Sequence, residues 1–235
     1  MAVLIKAPAK TIRADNDLKD GFLLNVPAKA HTLSGFRAWA LSDDVPEKLP
    51  LTFIRGEVFI DMSKEEMLTH ALVKTAIAGG LLPMNEELDL GHIFINGILV
   101  TNVRAQVSNN PDFVVVSFRS LKAGRVRYIK DKHRIMEIEG SPDVVVEIVS
   151  NSSVTKDNRD LREAYHQARI REYWLIDARG EEIVFQLLLW RKSGYFLPSA
   201  EDGWQRSPVF GRRFRLTRKQ DRAGVWKYKL ESQEA

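Results

Sequence analysis

The chain contains no cysteine, which excludes disulfides, thiolate zinc sites and a cysteine nucleophile. Long hydrophobic runs are missing as well. Met1-Ala-Val-Leu-Ile-Lys6 is too short for a signal peptide, and no stretch approaches the ~18–20 apolar residues of a membrane span. The histidines, His31, His70, His92, His133 and His166, include no i, i+4 pair, so a histidine zinc site has no local support. There is no Gly-x-Ser-x-Gly elbow and no Walker-type phosphate loop, which leaves serine-hydrolase and nucleotide-hydrolase chemistry without a motif. A cytoplasmic protein with no membrane partner is the expectation.

What is present suits one folded unit. A chain of 235 residues, 44% apolar and 28% charged, can bury a single good core. Residues 1–30 carry Pro8, Pro27 and an Asp15-Asn16-Asp17 run, and read as a loosely attached arm. Residues 31–200 form the main domain, and 201–235 a basic extension packing on it. The net charge of +4 is modest, but its distribution is uneven. Lys122, Arg125, Arg127, Lys130, Lys132 and Arg134 crowd one connecting segment, and Arg212, Arg213, Arg215, Arg218, Lys219 and Arg222 crowd the C-terminal region. Such clusters suit a polyanion; either one alone reads equally as solvated loops with scattered salt bridges.

Leu51–Ile54 and Glu57–Ile60 read as strands around Arg55-Gly56. Ser63-Lys-Glu-Glu66 spells a capping box, and the helix it opens should bury Leu68, Ala71, Leu72, Thr75 and Ala76 and end at Gly79-Gly80 with Pro83. His92–Val100 reads as a strand or hairpin, and Phe113–Phe118 as a strand. Pro142-Asp-Val-Val-Val-Glu147-Ile-Val-Ser150 has the composition of a central strand covered on both faces. A helix from about Lys156 to Ala168 follows, with Leu161, Ala164, Tyr165 and Ala168 on its buried face, then strands at Glu172–Asp177 and Ile183–Trp190, and an edge strand at Val225–Leu230. A strand–helix–strand order requires a parallel pair in a mixed sheet, hence an α/β fold.

Glu147 stands out in this pattern. An ionised carboxylate inside such a strand costs several kcal/mol unless a cation or hydrogen-bond donors meet it. A metal ion, a lysine or an arginine would each serve. Asp112, after Pro111, opens the Phe113 strand, and two carboxylates on neighbouring strands can share a magnesium ion. On spacing alone Asp112, Asp143 and Glu57 also read as ordinary turn or hairpin residues. His70 shares a helix face with Lys74 within reach of such a site, though a solvated or packed histidine explains it as well.

The string from Asp143 to Ser150, followed by Asp157, Tyr165 and Glu172-Tyr-Trp-Leu-Ile-Asp177, resembles the signature of the Uma-two family of restriction endonucleases, within the PD-(D/E)xK nuclease superfamily. Gly56–Ser63 and Pro111-Asp112-Phe-Val resemble earlier parts of that family, so the likeness runs from about Leu51 to Tyr195. It implies a restriction-endonuclease-like core, a mixed sheet flanked by helices, that cuts phosphodiester bonds with Mg2+ or Mn2+. By position, Asp112 and Glu147 match the family's metal-binding acids, and Glu57 an early assisting glutamate. The superfamily's lysine position is Val149, and the place where the resemblance puts this family's own lysine is Leu161. Lys156 is the nearest substitute, at a helix start where an anion is also favoured; an exposed helix-start lysine is the plainer reading. The resemblance therefore implies a magnesium-dependent endonuclease acting on DNA, with Lys122, Arg125, Arg127, Lys130, Arg212 and Arg213 on the phosphate backbone and a homodimer plausible for cutting both strands. The alternatives are a nuclease-like nucleic-acid-binding module without catalysis and an interaction protein with a protein partner. Trp174 and Tyr165 match family positions but suit core roles.

Overall fold

The computed structural model of the chain describes residues 2–5, 11–13, 23–46, 49–131 and 134–234. Pro8, the Asp15-Asn16-Asp17 run, Lys132 and His133 lie outside them. Three short strands, β1 (Ala2–Ile5), β2 (Thr11–Arg13) and β3 (Leu23–Asn25), precede helix α1 (Leu33–Ala40). β4 (Leu51–Ile54) and β5 (Glu57–Asp61) form the expected hairpin. Arg55 and Gly56 both take positive φ (48° and 93°), the hand that suits a two-residue turn between twisted strands. β1 pairs with β5, and Leu24, Val26 and Ala30 are buried, so these parts of the arm are built into the fold rather than loosely attached.

A wide π turn over Met67–Ala71 leads into α2 (Leu72–Leu88). The capping box does not form. Ser63 turns back to Asp61, and Glu66 itself caps the helix by accepting from the amides of Leu68 and Thr69. Pro83 does not end the helix either; the carbonyl it leaves unpaired belongs to Gly79, which is exposed to water. The late start and wide first turn rotate the buried face. Val73, Ile77, Leu81 and Met84 are buried, while Leu68, Ala71, Leu72 and Ala76 are half-buried and Thr75 is exposed. By length and composition alone Met67–Leu88 is apolar enough to cross a membrane (22 residues, mean hydropathy 1.2), against the expectation that no stretch approaches a membrane span. Here its apolar side lies against the sheets.

β6 (Gly91–Ile95) and β7 (Leu99–Asn102) are strands but not a hairpin, because they join different sheets. β8 (Val107–Asn109), β9 (Phe113–Ser117), helix α3 (Phe118–Lys122), β10 (Val126–Asp131), β11 (Arg134–Gly140) and β12 (Val144–Ile148) follow. The first basic cluster is thus largely a β-hairpin, β10–β11, rather than a loop. A second π turn (Lys156–Leu161) runs into α4 (Arg162–Gln167), and β13 (Glu172–Asp177), β14 (Val184–Arg191) and β15 (Gly194–Phe196) complete the centre. β16 (Gln205–Ser207), β17 (Arg212–Gln220) and β18 (Trp226–Glu234) form a three-stranded sheet with β18 at its edge.

The six-stranded sheet runs β15-β14-β13-β12-β9-β6 and the seven-stranded sheet β1-β5-β4-β8-β7-β11-β10. β12 pairs in parallel with β13, as the helical crossover requires, and antiparallel with β9. One face of β12, Val144, Val146 and Ile148, packs with α2 and with Phe214 and Leu230 of the C-terminal sheet. Gly80 permits that approach, since a Cβ there would lie 2.9 Å from the Leu230 side chain. The opposite face, Val145 and Val149, packs with Leu161, Ala164 and Tyr165 and with Ile54 and Val107 of the seven-stranded sheet. Each such aliphatic side chain contributes roughly 1.5–3 kcal/mol by burial, which makes the carboxylate between Val145 and Val149 the exception to be explained.

Glu172 fastens the C-terminal sheet to this core. It accepts from Trp174 Nε1 (2.9 Å), Ser207 Oγ (2.7 Å) and the Val209 amide (2.7 Å). Burial nevertheless outweighs these donors and lifts its pKa from 4.5 to about 7. Between those values the folded chain holds a proton that the unfolded chain has lost, so stability falls as pH rises through the window. The expected loss is roughly 3 kcal/mol from this group. Urea melts between pH 5 and 8 check it: the Glu172→Gln variant should show a shallower decline than the parent chain, and equal slopes would contradict the assignment.

Candidate active site

The register brings two carboxylates to the same end of a strand pair. β12 and β9 pair as Val144↔Val115, Val145↔Val114 and Val146↔Phe113, so the next position along brings Glu147 opposite Asp112. The ladder stops there. Asp112 Oδ2 replaces it by accepting the Ile148 amide at 2.8 Å, which fixes the Asp112 carboxylate at the end of β12.

Among the described residues, Glu147, 4% exposed, is met by neutral donors and by no direct ion pair. Asn109 Nδ2 and the Tyr165 hydroxyl each donate to Oε1 at 2.7 Å, and Asn109 also donates to the Tyr165 oxygen at 2.6 Å. Thr52 in turn donates to Asn109 Oδ1. The chain of bonds runs from β4 through β8 and α4 to β12 and holds both sheets to the carboxylate. Asn109, Tyr165 and Glu147 Oε1 are thereby each given a partner, as a buried polar network requires. Both donors converge on Oε1, so Oε2 makes no hydrogen bond among the described residues. Burial pushes the Glu147 pKa well above the usual carboxylate range; Lys156 opposes this, and the charges of Asp157 and Asp112 reinforce it.

Cations stand on both sides of the pair. Lys156 Nζ lies 2.6 Å from Asp157 Oδ1, and its side chain is only 17% exposed, so it is not the free helix-start lysine of the plainer reading. Burial alone would lower its pKa, but Asp157, Glu147 and Asp112 together raise it and keep the ammonium charged. Burial raises Asp157 despite that contact. From α2, Lys74 Nζ lies 3.1 Å from Asp112 Oδ1, and from the π turn before it His70 Nε2 lies 3.5 Å from Oδ2; Glu65 contacts both. Burial would raise Asp112, yet His70, Lys74 and the Ile148 amide outweigh it and hold the carboxyl below its ordinary value. Lys74 also donates to Asn96, whose amide binds the Asp112 carbonyl.

The structure thus brings together Asp112, Glu147 and Lys156 of the residues singled out from sequence. Glu57 is half-buried at the start of β5, and its charge acts on Arg159 in the π turn. Asp143 is a staple, fully buried and bonded to the Ser117 amide, Ser120 and Arg171. Leu161 is fully buried in the core. Among these basic residues, Lys122, Arg127 and Lys130 are exposed. Arg125 donates to the Arg169 carbonyl, Arg127 pairs with Glu139, Arg212 with Glu87 and Glu234, and Arg213 with Glu201. His70, read from sequence as within reach of the site but equally as a solvated or packed histidine, does reach it, and Lys74, read as sharing its face, lies on the same Asp112 carboxylate. Sequence reasoning gave Tyr165 a core role; the ring is buried, but the hydroxyl is on Glu147. Asn109 was missed, since a lone asparagine in a short strand carries no signal. Among the described residues, no group of three or more His, Cys, Asp or Glu side chains is gathered to hold a metal ion.

A family model described as "Putative restriction endonuclease", Uma2, matches residues 34–218. The chain belongs to the Uma2 family. No curated protein matches it. Among solved structures it is similar to a protein from Anabaena variabilis titled as a putative nuclease belonging to DUF820. The TM-score is 0.53 at 16% identity, over 76% of this chain and 90% of that one. At that identity the likeness establishes the fold: this Uma2 chain has a restriction-endonuclease-like core, mixed sheets flanked by helices. The carboxylates described above lie within the span that the family model covers.

Proposed function

We propose that the chain is a metal-dependent endonuclease that hydrolyses phosphodiester bonds in DNA, with Asp112 and Glu147 as its metal-binding acids. The observation that carries this reading is the placement of Asp112 opposite Glu147 at the end of β12, with the buried ammonium of Lys156 acting on both. The donor set fits a magnesium-like ion, which takes oxygen ligands and needs only one or two protein carboxylates. Glu147 Oε2 is open for that purpose among the described residues. When bound, such an ion supplies positive charge to a phosphate oxygen and lowers the pKa of water.

The chain's own residues account for the remainder. Tyr165 and Asn109 fix the rotamer of Glu147, and the Ile148 amide fixes Asp112. Lys156 keeps its charge in a water-poor site, where it counts for more against charge developing on phosphate. Lys74 balances Asp112 and stands beside the same strand end. Lys122 and Lys130 are exposed cations suited to backbone contact, so binding should weaken steeply with salt.

A second reading is a nucleic-acid-binding module without catalysis. Leu161 in the core favours it, as do the existing partners of Lys156 and Lys74. Nicking of supercoiled plasmid separates the two. The proposal expects cleavage with magnesium or manganese, loss with a chelator, and recovery when the ion is restored. Retarded but uncut plasmid under every ion would favour the second reading.

A further inference from the structure

The free edges of the two large sheets, β6 and β10, meet beside the active site and leave a cleft of about 260 Å³ between them. We propose that this cleft takes an unpaired base of the DNA strand being cut, an inference that rests on the nuclease reading.

Its walls are His92, Phe94, Ile98, Tyr128 and Ile135. His92 Nδ1 and the Tyr128 hydroxyl are 2.7 Å apart, Phe94 meets Tyr128 edge-on at 5.8 Å, and Phe118 meets His92 edge-on at 5.3 Å. These contacts hold the rings in place before anything binds, so little ordering is left for a ligand to drive. Phe118 and Ile135 are 44% and 52% exposed, so the apolar surface continues out of the cleft. Such a surface, adjoining a polar functional site, marks recognition.

The charge around it suits a nucleic-acid strand. Lys130 pairs with Ile135 across the hairpin, which puts its side chain on the cleft face. Arg119 and Lys122 are exposed on the helix that Phe118 begins. The one acidic wall residue, Glu137, is buried and answered by Arg37, whose Nε lies 2.8 Å from Oε1. An aromatic platform with cations at its rim is how single strands are held without regard to sequence.

Position completes the argument. β6 ends at Ile95, and Asn96 contacts both Asp112 and Lys74. Phe94 is two residues from Asn96, about 7 Å along a strand. A base against Phe94 would therefore belong to a nucleotide close to the attacked phosphate. The space suits one flat ring and falls below the volume of ordinary ligand pockets. A partner protein would need far more buried area than the cleft offers.

The test uses the Glu147→Gln chain in EDTA, so that binding is read without cutting, and fluorescence anisotropy with a short single-stranded DNA and its abasic counterpart. Phe94→Ala should weaken binding of the normal strand roughly 5- to 150-fold, the range for loss of one stacked base, and leave the abasic strand unaffected. His92→Ala, at an exposed position, repeats the measurement without endangering the core. Equal effects on both strands, no effect on either, or no binding at all would overturn the proposal. So would self-association of the parent chain that Phe94→Ala abolishes, since the cleft would then be an interface between copies. Base-dependent binding without plasmid cleavage would sink the nuclease reading alone; cleavage with base-blind binding would sink the cleft alone.

Discussion

Glu147→Gln is expected to abolish divalent-ion-dependent plasmid cleavage, by at least ~10³-fold or about 4 kcal/mol of activation free energy, while the fold remains intact. The amide oxygen can still accept from Tyr165 and Asn109, so the network that joins the two sheets survives. What disappears is the negative charge that an ion requires. Because burial already favours the uncharged acid in the metal-free chain, the variant should melt at or above the parent temperature. This separates chemistry from stability more cleanly than alanine, which would leave two buried donors without a partner. Undiminished cutting by a folded Glu147→Gln protein would contradict the role given to this residue.

The second large effect is expected at Lys156. Lys156→Met should lower cleavage by ~10²–10³-fold, the usual cost of removing one preorganised positive or hydrogen-bonding group from a charged transition state. It should also destabilise the chain, because Asp157, 1% exposed, loses its partner. Breaking one half of such a buried pair costs about 3–5 kcal/mol, though protonation of Asp157 reduces this. The double variant Lys156→Met/Asp157→Asn removes the orphaned charge. Chemical denaturation should show recovered stability, whereas nicking assays should show cleavage still lost. If the double variant cuts like the parent, Lys156 is a structural cation and the catalytic charge must come from Lys74, which already lies 3.1 Å from Asp112.

The centre of the fold was legible because β12 and its neighbours are written in uniform residues. An apolar run interrupted only by Glu147 can be little else than a central strand, and the i, i+3, i+4, i+7 spacing from Leu161 to Ala168 matches the buried face seen. The first long helix was harder. Ser63-Lys-Glu-Glu66 satisfies the capping pattern, but Asp61 competes for Ser63, and Glu66 captures the amides directly. That late start moves the apolar face from Leu72 to Val73, and the shared face of His70 and Lys74, legible from their i, i+4 spacing, meets Asp112. Asn109 and the Tyr165 hydroxyl were hidden for another reason. Their contacts with Glu147 join separate sheets and helices, and no short-range pattern encodes such a meeting. The C-terminal arginines show the limit of counting charge, since Arg212, Arg213 and Arg215 each pair with a carboxylate in the folded chain.

The shared-ion claim is tested most directly by a crystal structure of the chain soaked with manganese. The account predicts one ion with oxygen ligands from both Asp112 and Glu147 at ~2.0–2.2 Å, and Lys156 still beside it. A soaked crystal with no ion there, Asp112 still held by Lys74 and Glu147 still held only by Tyr165 and Asn109, would contradict it.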